Sequence, residues 1–557
     1  MPGRTPPLLL ELDLTVPLAD PPPQQPLAKA LHRGQPALRD VLDGLHRAAQ
    51  DPRVAGLIVR TGGPQQPLAA AQELRDALAE FAASGRPALA WAETFGEFGR
   101  GTASYLVATG CREIWLQPSG ELGMTGLAVE ATFVRELFDR HGLRAEVGVR
   151  REYKNAPNLV TERGFTPAHR EALARLAESC LDSAVAEIAD ARGLDAGTVR
   201  ALVDRSPLAP GEALTAGLID AVGYRDEAYA ALRAQVPDAE LRFLHRLGTR
   251  PADRVRKLTA RDKRHVAVID VAGGIRSGRS GRGLMGNAAG SDTVTAALRS
   301  AATDDAVAAV VLRVDSPGGS YVASDAIWRA TLGLREAGKP LVVSMGRVAA
   351  SGGYFVAMSA DRILAQPATV TGSIGVFAGK VVVADLLRRH GIDHDAVSAG
   401  ARSRLSSPRV GFDADQLAAM EEWLDRVYAD FTGKVAAARG LSAARIEEVA
   451  RGRVWSGADA RDHGLVDAFG GLPEAAAQAR ALAGLAPDAA LRPLPAPRPL
   501  DRFARPRSSE DPRAARAALR SSPAAAWAAW GHWAELAATL GLPAAGPLTL
   551  GDQAVLA

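Results

Sequence analysis

Cysteine is nearly missing from this chain of 557 residues, where Cys111 and Cys180 are the only two. Two cysteines cannot make a disulfide framework. A bonded pair stays open, and two free thiols in a reducing compartment is the default reading. Net charge is nearly missing too, with 66 basic against 63 acidic residues spread along the chain. That balance implies no polyanion-binding surface, so nucleic acid is not an expected partner. Long apolar runs are absent. The best, Pro7–Leu18, is interrupted by Glu11 and Asp13. It is too short and too charged for a membrane span, and it lacks the plan of a signal peptide. Its alternation, Leu10-Glu11-Leu12-Asp13-Leu14, reads as a strand. The sequence also lacks a His-Glu-x-x-His motif, paired Cys-x-x-Cys motifs and a Gly-x-Ser-x-Gly elbow. Metal chemistry is therefore disfavoured, and no metal or cofactor is expected. Lysine is scarce as well, at seven of the 66 basic residues.

What is present is an internal repeat. Val54-Ala-Gly-Leu-Ile-Val-Arg60 resembles Val307-Ala-Ala-Val-Val-Leu-Arg313 at an offset of 253. Leu137–Leu143 matches Leu386–Ile392 at 249, and Gly217–Gly223 matches Gly464–Gly470 at 247. Collinear matches with small insertions mark one unit written twice. Each copy reads strand, helix, buried strand, loop, helix, strand. Val307–Val314 is apolar on both faces, as a parallel strand covered by helices would be. The class is α/β, with repeated βαβ units and helical extensions at 166–232 and 412–478.

Length alone suggests about three domains. The repeat divides the chain differently. Residues 1–232 form an N-terminal repeat, 233–263 a linker or bridging segment, and 264–484 a C-terminal repeat. Residues 485–557 form a tail rich in Ala, Pro and Arg. Arg276–Gly290, rich in Gly, Ser and Arg, reads as a mobile loop without a P-loop ending. In the tail, Trp527, Trp530 and Trp533 would share one side of a helix. That stripe either packs onto the body or anchors peripherally at a membrane.

Three short motifs in the second copy could carry chemistry. Asp315-Ser-Pro-Gly-Gly-Ser320 follows a buried strand and precedes a helix expected over Tyr321–Glu336. Its glycines, Gly318 and Gly319, would let backbone N–H groups face an open site and stabilise an oxyanion, though a plain strand-to-helix turn explains them equally. Ala349-Ala350-Ser351-Gly352-Gly353-Tyr354 sets a serine among small residues after a second buried strand. An exposed nucleophile needs such neighbours, and so does an ordinary helix cap. Thr371-Gly-Ser373-Ile-Gly375 is small and hydroxylated. No histidine offers itself as base. His141 and His390 occupy one repeat position at a helix end, which marks them as structural.

Taken together and in order, these motifs in a tandem α/β repeat resemble the signal peptide peptidase A family, also called protease IV, in its long two-copy form. The resemblance covers about residues 7–484. It implies two tandem Clp-protease/crotonase-like domains and a serine–lysine peptidase. It also implies that the serine comes from the second copy and the lysine from a Tyr-Lys segment of the first. Here that segment is Arg151-Glu-Tyr-Lys154-Asn-Ala-Pro157. Lysine can act as a base once desolvated; arginine cannot. At offset 249, Ser351 falls on Thr102 and Lys154 on Ser403, so each copy lacks the half that the other keeps. The expectation is one composite site. Ser351 is the nucleophile and Lys154 the general base, Ser373 orients the lysine, and Gly318, Gly319 and Gly352 serve the oxyanion or substrate backbone.

The expected substrates are peptides, notably cleaved signal peptides, and the family resemblance implies a homotetramer. Long members usually begin with a membrane anchor, which is not evident here. The expected location is therefore cytoplasmic or peripheral at the membrane. Two rivals share the fold: a crotonase-type acyl-CoA enzyme, which would need neither Ser351 nor Lys154, and a non-catalytic scaffold.

Overall fold

The computed structural model describes residues 6–20, 36–64, 66–248, 264–283, 286–495 and 548–549. In the first copy, β1 (Leu8–Asp13), β2 (Val54–Thr61), β3 (Ala88–Ala92) and β4 (Glu113–Leu116) lie side by side in chain order, all parallel. Strand β5 (Arg144–Arg150) leaves this sheet. Short strands complete it, β6 (Ala221–Val222) beyond β4 and β7 (Glu240–Phe243) beyond β1.

The second copy repeats the plan. Strands β8 (His265–Ala272), β12 (Val307–Ser316), β14 (Leu341–Ala350) and β15 (Arg362–Ala365) succeed one another in parallel, flanked by β19 (Ala468–Phe469) and β20 (Leu491–Pro493). The sheet order of one copy, β6-β4-β3-β2-β1-β7, thus maps strand for strand onto β19-β15-β14-β12-β8-β20 of the other. Strand β7 comes from the stretch 233–263 assigned to the linker, and β20 from the tail starting at 485. The tryptophan stripe at 527–533 lies outside the described residues.

These sequences make these elements for simple reasons. Val310, Val311 and Leu312 of β12 are all fully buried, because helices cover both faces of a parallel sheet. The long helices Pro167–Arg192 and Ala414–Arg439 sit at equivalent places in the two copies. Each stops at a glycine, Gly193 and Gly440, whose φ of +64° ends a helix without a Cβ penalty.

Additional strands surround the second sheet. Strand β16 (Val370–Gly372) pairs with the end of β14, and β18 (Val454–Ser456) runs antiparallel to β16. The stretch Arg276–Gly290, expected as a loop, instead forms strands. Here β9 (Gly274–Arg276) pairs with β11 (Gly286–Gly290), which turns back on β10 (Gly281–Gly283). The ladder absorbs backbone groups that a loop would leave to water. On its other side β9 meets β13 (Gly318–Gly319), and β13 meets β21 (Leu548–Thr549).

The copies share one core. Val348, Ala350, Val370 and Val454 of the second copy pack in the same apolar cluster as Leu173, Leu176 and Leu181 of the first. Strand β5 reaches across to pair antiparallel with β17 (Val376–Val382) of the second copy, from Arg150 opposite Val376 to Arg144 opposite Val382. Arg313 on β12 reaches Glu73 of the first copy at 2.6 Å, with both side chains buried. Cys111 and Cys180 are free and buried.

Candidate active site

Three turns at the carboxyl ends of parallel strands meet at one place, where α/β sheets usually hold their ligands. Ser351 follows β14, Gly318–Gly319 follow β12, and Ser373 follows β16. Ser351 has φ +55° and ψ −115°, a region costly for a residue with a Cβ. Its ends are pinned in that conformation. Its N–H donates to Gly372 O at 2.8 Å, and its carbonyl accepts from Phe355 N–H at 2.9 Å. Ser373 is a second left-handed residue, at φ +51°, and its N–H donates to Arg453 O at 2.7 Å.

Lys154 arrives from the first copy by way of the β5–β17 ladder. Arg150 lies opposite Val376, Lys154 follows four residues later, and Ser373 precedes Val376 by three. Register therefore fixes which side chains meet. Lys154 Nζ lies 2.7 Å from Ser351 Oγ, 3.0 Å from Ser373 Oγ and 3.1 Å from Ser373 O. The side chain is fully enclosed, and Ser351 and Ser373 are buried with it. Its hydrogen-bond partners are two hydroxyls and a carbonyl, and they offer no counter-charge. Burial alone pushes the ammonium down to about 7.

The glycines crowd the nucleophile. A Cβ on Gly352 would meet Ser324 Oγ at 2.7 Å, and Gly318 Cα and Gly319 N at 3.1 Å. A Cβ on Gly319, at φ +153°, would meet Ile275 O at 2.0 Å. The backbone N–H groups of Gly318 and Gly319 differ in their surroundings. The Gly318 N–H donates to Ser316 Oγ at 3.1 Å, so that donor is already engaged. The helix Gly352–Ala357 begins one residue after Ser351, and its first N–H groups have no acceptor within the helix. Thr371 Oγ1 donates to Ala349 O at 2.7 Å, a local tie between strands. His141 and His390 are exposed at helix ends. His169 is buried against Phe133 and Phe165, and burial pushes it down to about 4, so it is neutral at working pH.

One contributor carries no sequence signal. Gly452, between two arginines, looks like an ordinary turn residue. In the fold its N–H donates to Ile374 O at 2.8 Å, beside Ser373. A Cβ there would lie 2.6 Å from the Lys154 backbone N and from Lys154 Cβ. Its φ of +84° also favours glycine. Gly452→Ala should therefore displace Lys154 from Ser351. A shift of about 1 Å can cost about 10²-fold in rate, so kcat should fall by that order while KM and the circular dichroism spectrum hold. Unchanged turnover in this variant would remove Gly452 from the site.

The profile of peptidase family S49 matches residues 80–237 and 333–486, one stretch in each copy. The chloroplastic serine protease SPPA of Arabidopsis thaliana is 29% identical over 455 residues, 81% of this chain and 66% of that protein. Protease 4 of Salmonella typhi is 31% identical over 462 residues, 81% of this chain and 72% of that protein. A ClpP1 mutant from Listeria monocytogenes aligns over 40% of this chain and 98% of its own, at 14% identity and a TM-score of 0.24. Among the described residues, no helix is long and apolar enough to cross a membrane. The acyl-CoA enzyme and the inert scaffold are not favoured by these matches. The chain belongs to peptidase family S49 and is a serine protease built from two copies of one α/β unit.

Proposed function

We propose that Ser351 and Lys154 form the catalytic dyad of a peptidase whose single active site is assembled from both copies. The carrying observation is the 2.7 Å contact between Lys154 Nζ and Ser351 Oγ, both buried. A neutral amine has two N–H groups and one lone pair. The two contacts to Ser373 take the N–H groups, which leaves the lone pair facing the Ser351 hydroxyl.

The steps follow from that orientation. Lys154 accepts the Ser351 proton as Oγ attacks the substrate carbonyl, and the oxyanion forms against backbone donors. The N–H groups of Gly319 and Gly352 suit that role; Gly318 is engaged elsewhere. Lys154 then passes the proton to the leaving amine, and water cleaves the acyl-enzyme with Lys154 again as base. Ser373 holds the amine in place and is a positioning residue. Signal peptides released after cleavage are the substrate class that the family resemblance implies.

The pH profile tests this reading. Lys154 is protonated and cannot act as a base below about 7, so kcat/KM should climb through pH 7 and level off above it. The sign follows from a lysine whose charged form is disfavoured by burial. A flat profile between pH 5 and 9, or a midpoint near 10, would contradict a buried lysine base.

Assembly is part of the same proposal. The segment 393–399 corresponds to β5 at the 249 offset, yet it forms no strand among the described residues, and Val397 is fully exposed there. The counterpart of β17, at 127–133, likewise forms no strand. The second copy of the ladder is thus not formed within this chain among the described residues. Head-to-tail contact between chains would close it, in keeping with a homotetramer. Light scattering that finds a monomer at all concentrations would reject this.

A further inference from the structure

Strand β13 is short, glycine-only and placed beside the nucleophile's turn, as the Gly352 packing distances show. One of its edges is taken by β9 at Ile275. The other edge is where an extended peptide would add, through main-chain hydrogen bonds to a strand with no side chains in the way. That edge is not free. Residues Leu548–Thr549 of this same chain form β21 there, antiparallel, with Thr549 opposite Gly318 and Leu548 opposite Gly319. Strand β21 also lies against β17, the strand that follows Ser373. A short extended piece of backbone thus lies between the Gly318–Gly319 turn, to which it pairs antiparallel, and the strand that follows Ser373.

We propose that the segment Leu548–Thr549 is an internal ligand of the substrate groove, which occupies the β13 edge in the resting enzyme and competes with incoming peptides. This inference rests on the groove being the peptide site of the proposed function. Main-chain pairing of this kind is tolerant of sequence, so a tethered segment needs only modest intrinsic affinity. If it is presented at an effective concentration on the order of 1 mM and binds with a Kd of about 100 μM, external peptides see the groove about ten-fold weaker. Displacement by a better-fitting peptide costs only that factor, which makes the segment a filter against poor substrates.

Binding to inactive protein provides the test, because it does not depend on turnover. Ser351→Ala is prepared as the full chain and as a chain ending at residue 540. A fluorescent synthetic peptide of residues 544–557 is the probe. The shortened chain should bind it about ten-fold more tightly than the full chain. The full chain carrying Leu548→Pro and Thr549→Pro should behave like the shortened one, since proline cannot donate to a ladder. Equal affinity of the full and shortened chains, or no binding to the shortened chain, would overturn the proposal. In chains with Ser351 intact, shortening should lower KM for a small fluorogenic peptide and leave kcat unchanged. If the shortened Ser351 chain binds the probe but neither cleaves peptides nor reacts with a serine-directed phosphonate, the peptidase reading has failed while the internal ligand stands.

Discussion

Ser351→Ala should abolish peptide cleavage, by about 10⁴-fold or more, because it removes the hydroxyl on which the acyl-enzyme forms. Lys154→Met should lose activity by a comparable order. It keeps the stem volume and removes the amine that lies 2.7 Å from the Ser351 hydroxyl. Lys154→Arg should be no better, since a guanidinium stays protonated and offers no lone pair. The stability of Lys154→Met separates this role from a structural one. In the wild type the lysine titrates near 7 when folded, against about 10.4 when unfolded. Between those values the unfolded chain binds more protons, so wild-type stability rises with pH. Below pH 7 the fold carries the full cost of a buried charge. Lys154→Met should therefore have the higher Tm at pH 6, and the gap should narrow as pH approaches 9. A variant that is inactive and also less stable at pH 6 would mean that Lys154 serves packing instead of proton transfer.

Much of this site was legible in the residues. A duplicated strand pattern gave two equivalent sheets, and the strand order of the two copies proved identical. The scarcity of lysine made Lys154 conspicuous, and the complementary loss at Thr102 and Ser403 implied that the halves meet. The means of meeting was not legible. Strand β5 pairs with β17 of the other copy and not with its own sheet, and that register brings about the 2.7 Å contact. Long-range pairing depends on which edges are left open after the local elements form, and periodicity does not report edges. The same limit hid β9 to β11, whose glycine-rich strands lack the apolar alternation that marks a strand. Gly452 was hidden for another reason. Its importance lies in a positive φ and a contact with Lys154, and neither exists until the chain is folded.

Arg313→Met should destabilise the protein by about 3–5 kcal/mol, the usual cost of stranding one partner of a buried ion pair. The arginine sits on β12, two residues before Asp315, and does four things at once. Its Nη1 donates to Glu73 Oε1 at 2.6 Å, to Ser344 Oγ at 2.9 Å and to Met345 O at 3.4 Å. Its Nη2 donates to Asp20 Oδ2 at 3.3 Å. Glu73 and Asp20 belong to the first copy, so the guanidinium ties the copies together beneath the active-site turns. Burial pushes the Glu73 carboxyl up to about 7, against the pull of Arg313. Without the arginine it must go higher still. Below pH 7 the carboxyl is protonated in both proteins, so the lost hydrogen bonds dominate the difference. Above pH 7 the wild-type carboxylate ionises beside its cation, whereas the variant must hold its proton or bury a bare charge. The destabilisation should therefore grow between pH 6 and pH 9 in urea titrations. Pairing Arg313→Met with Glu73→Leu should recover most of the loss and flatten that pH dependence, because an apolar pair needs no counter-charge. A double variant no more stable than Arg313→Met would place the arginine's value in Ser344 and Asp20 instead. Activity offers the second readout. If the ion pair sets the geometry between copies, Arg313→Met should lose kcat under conditions where it remains folded, and the Glu73→Leu partner should restore stability more fully than it restores rate.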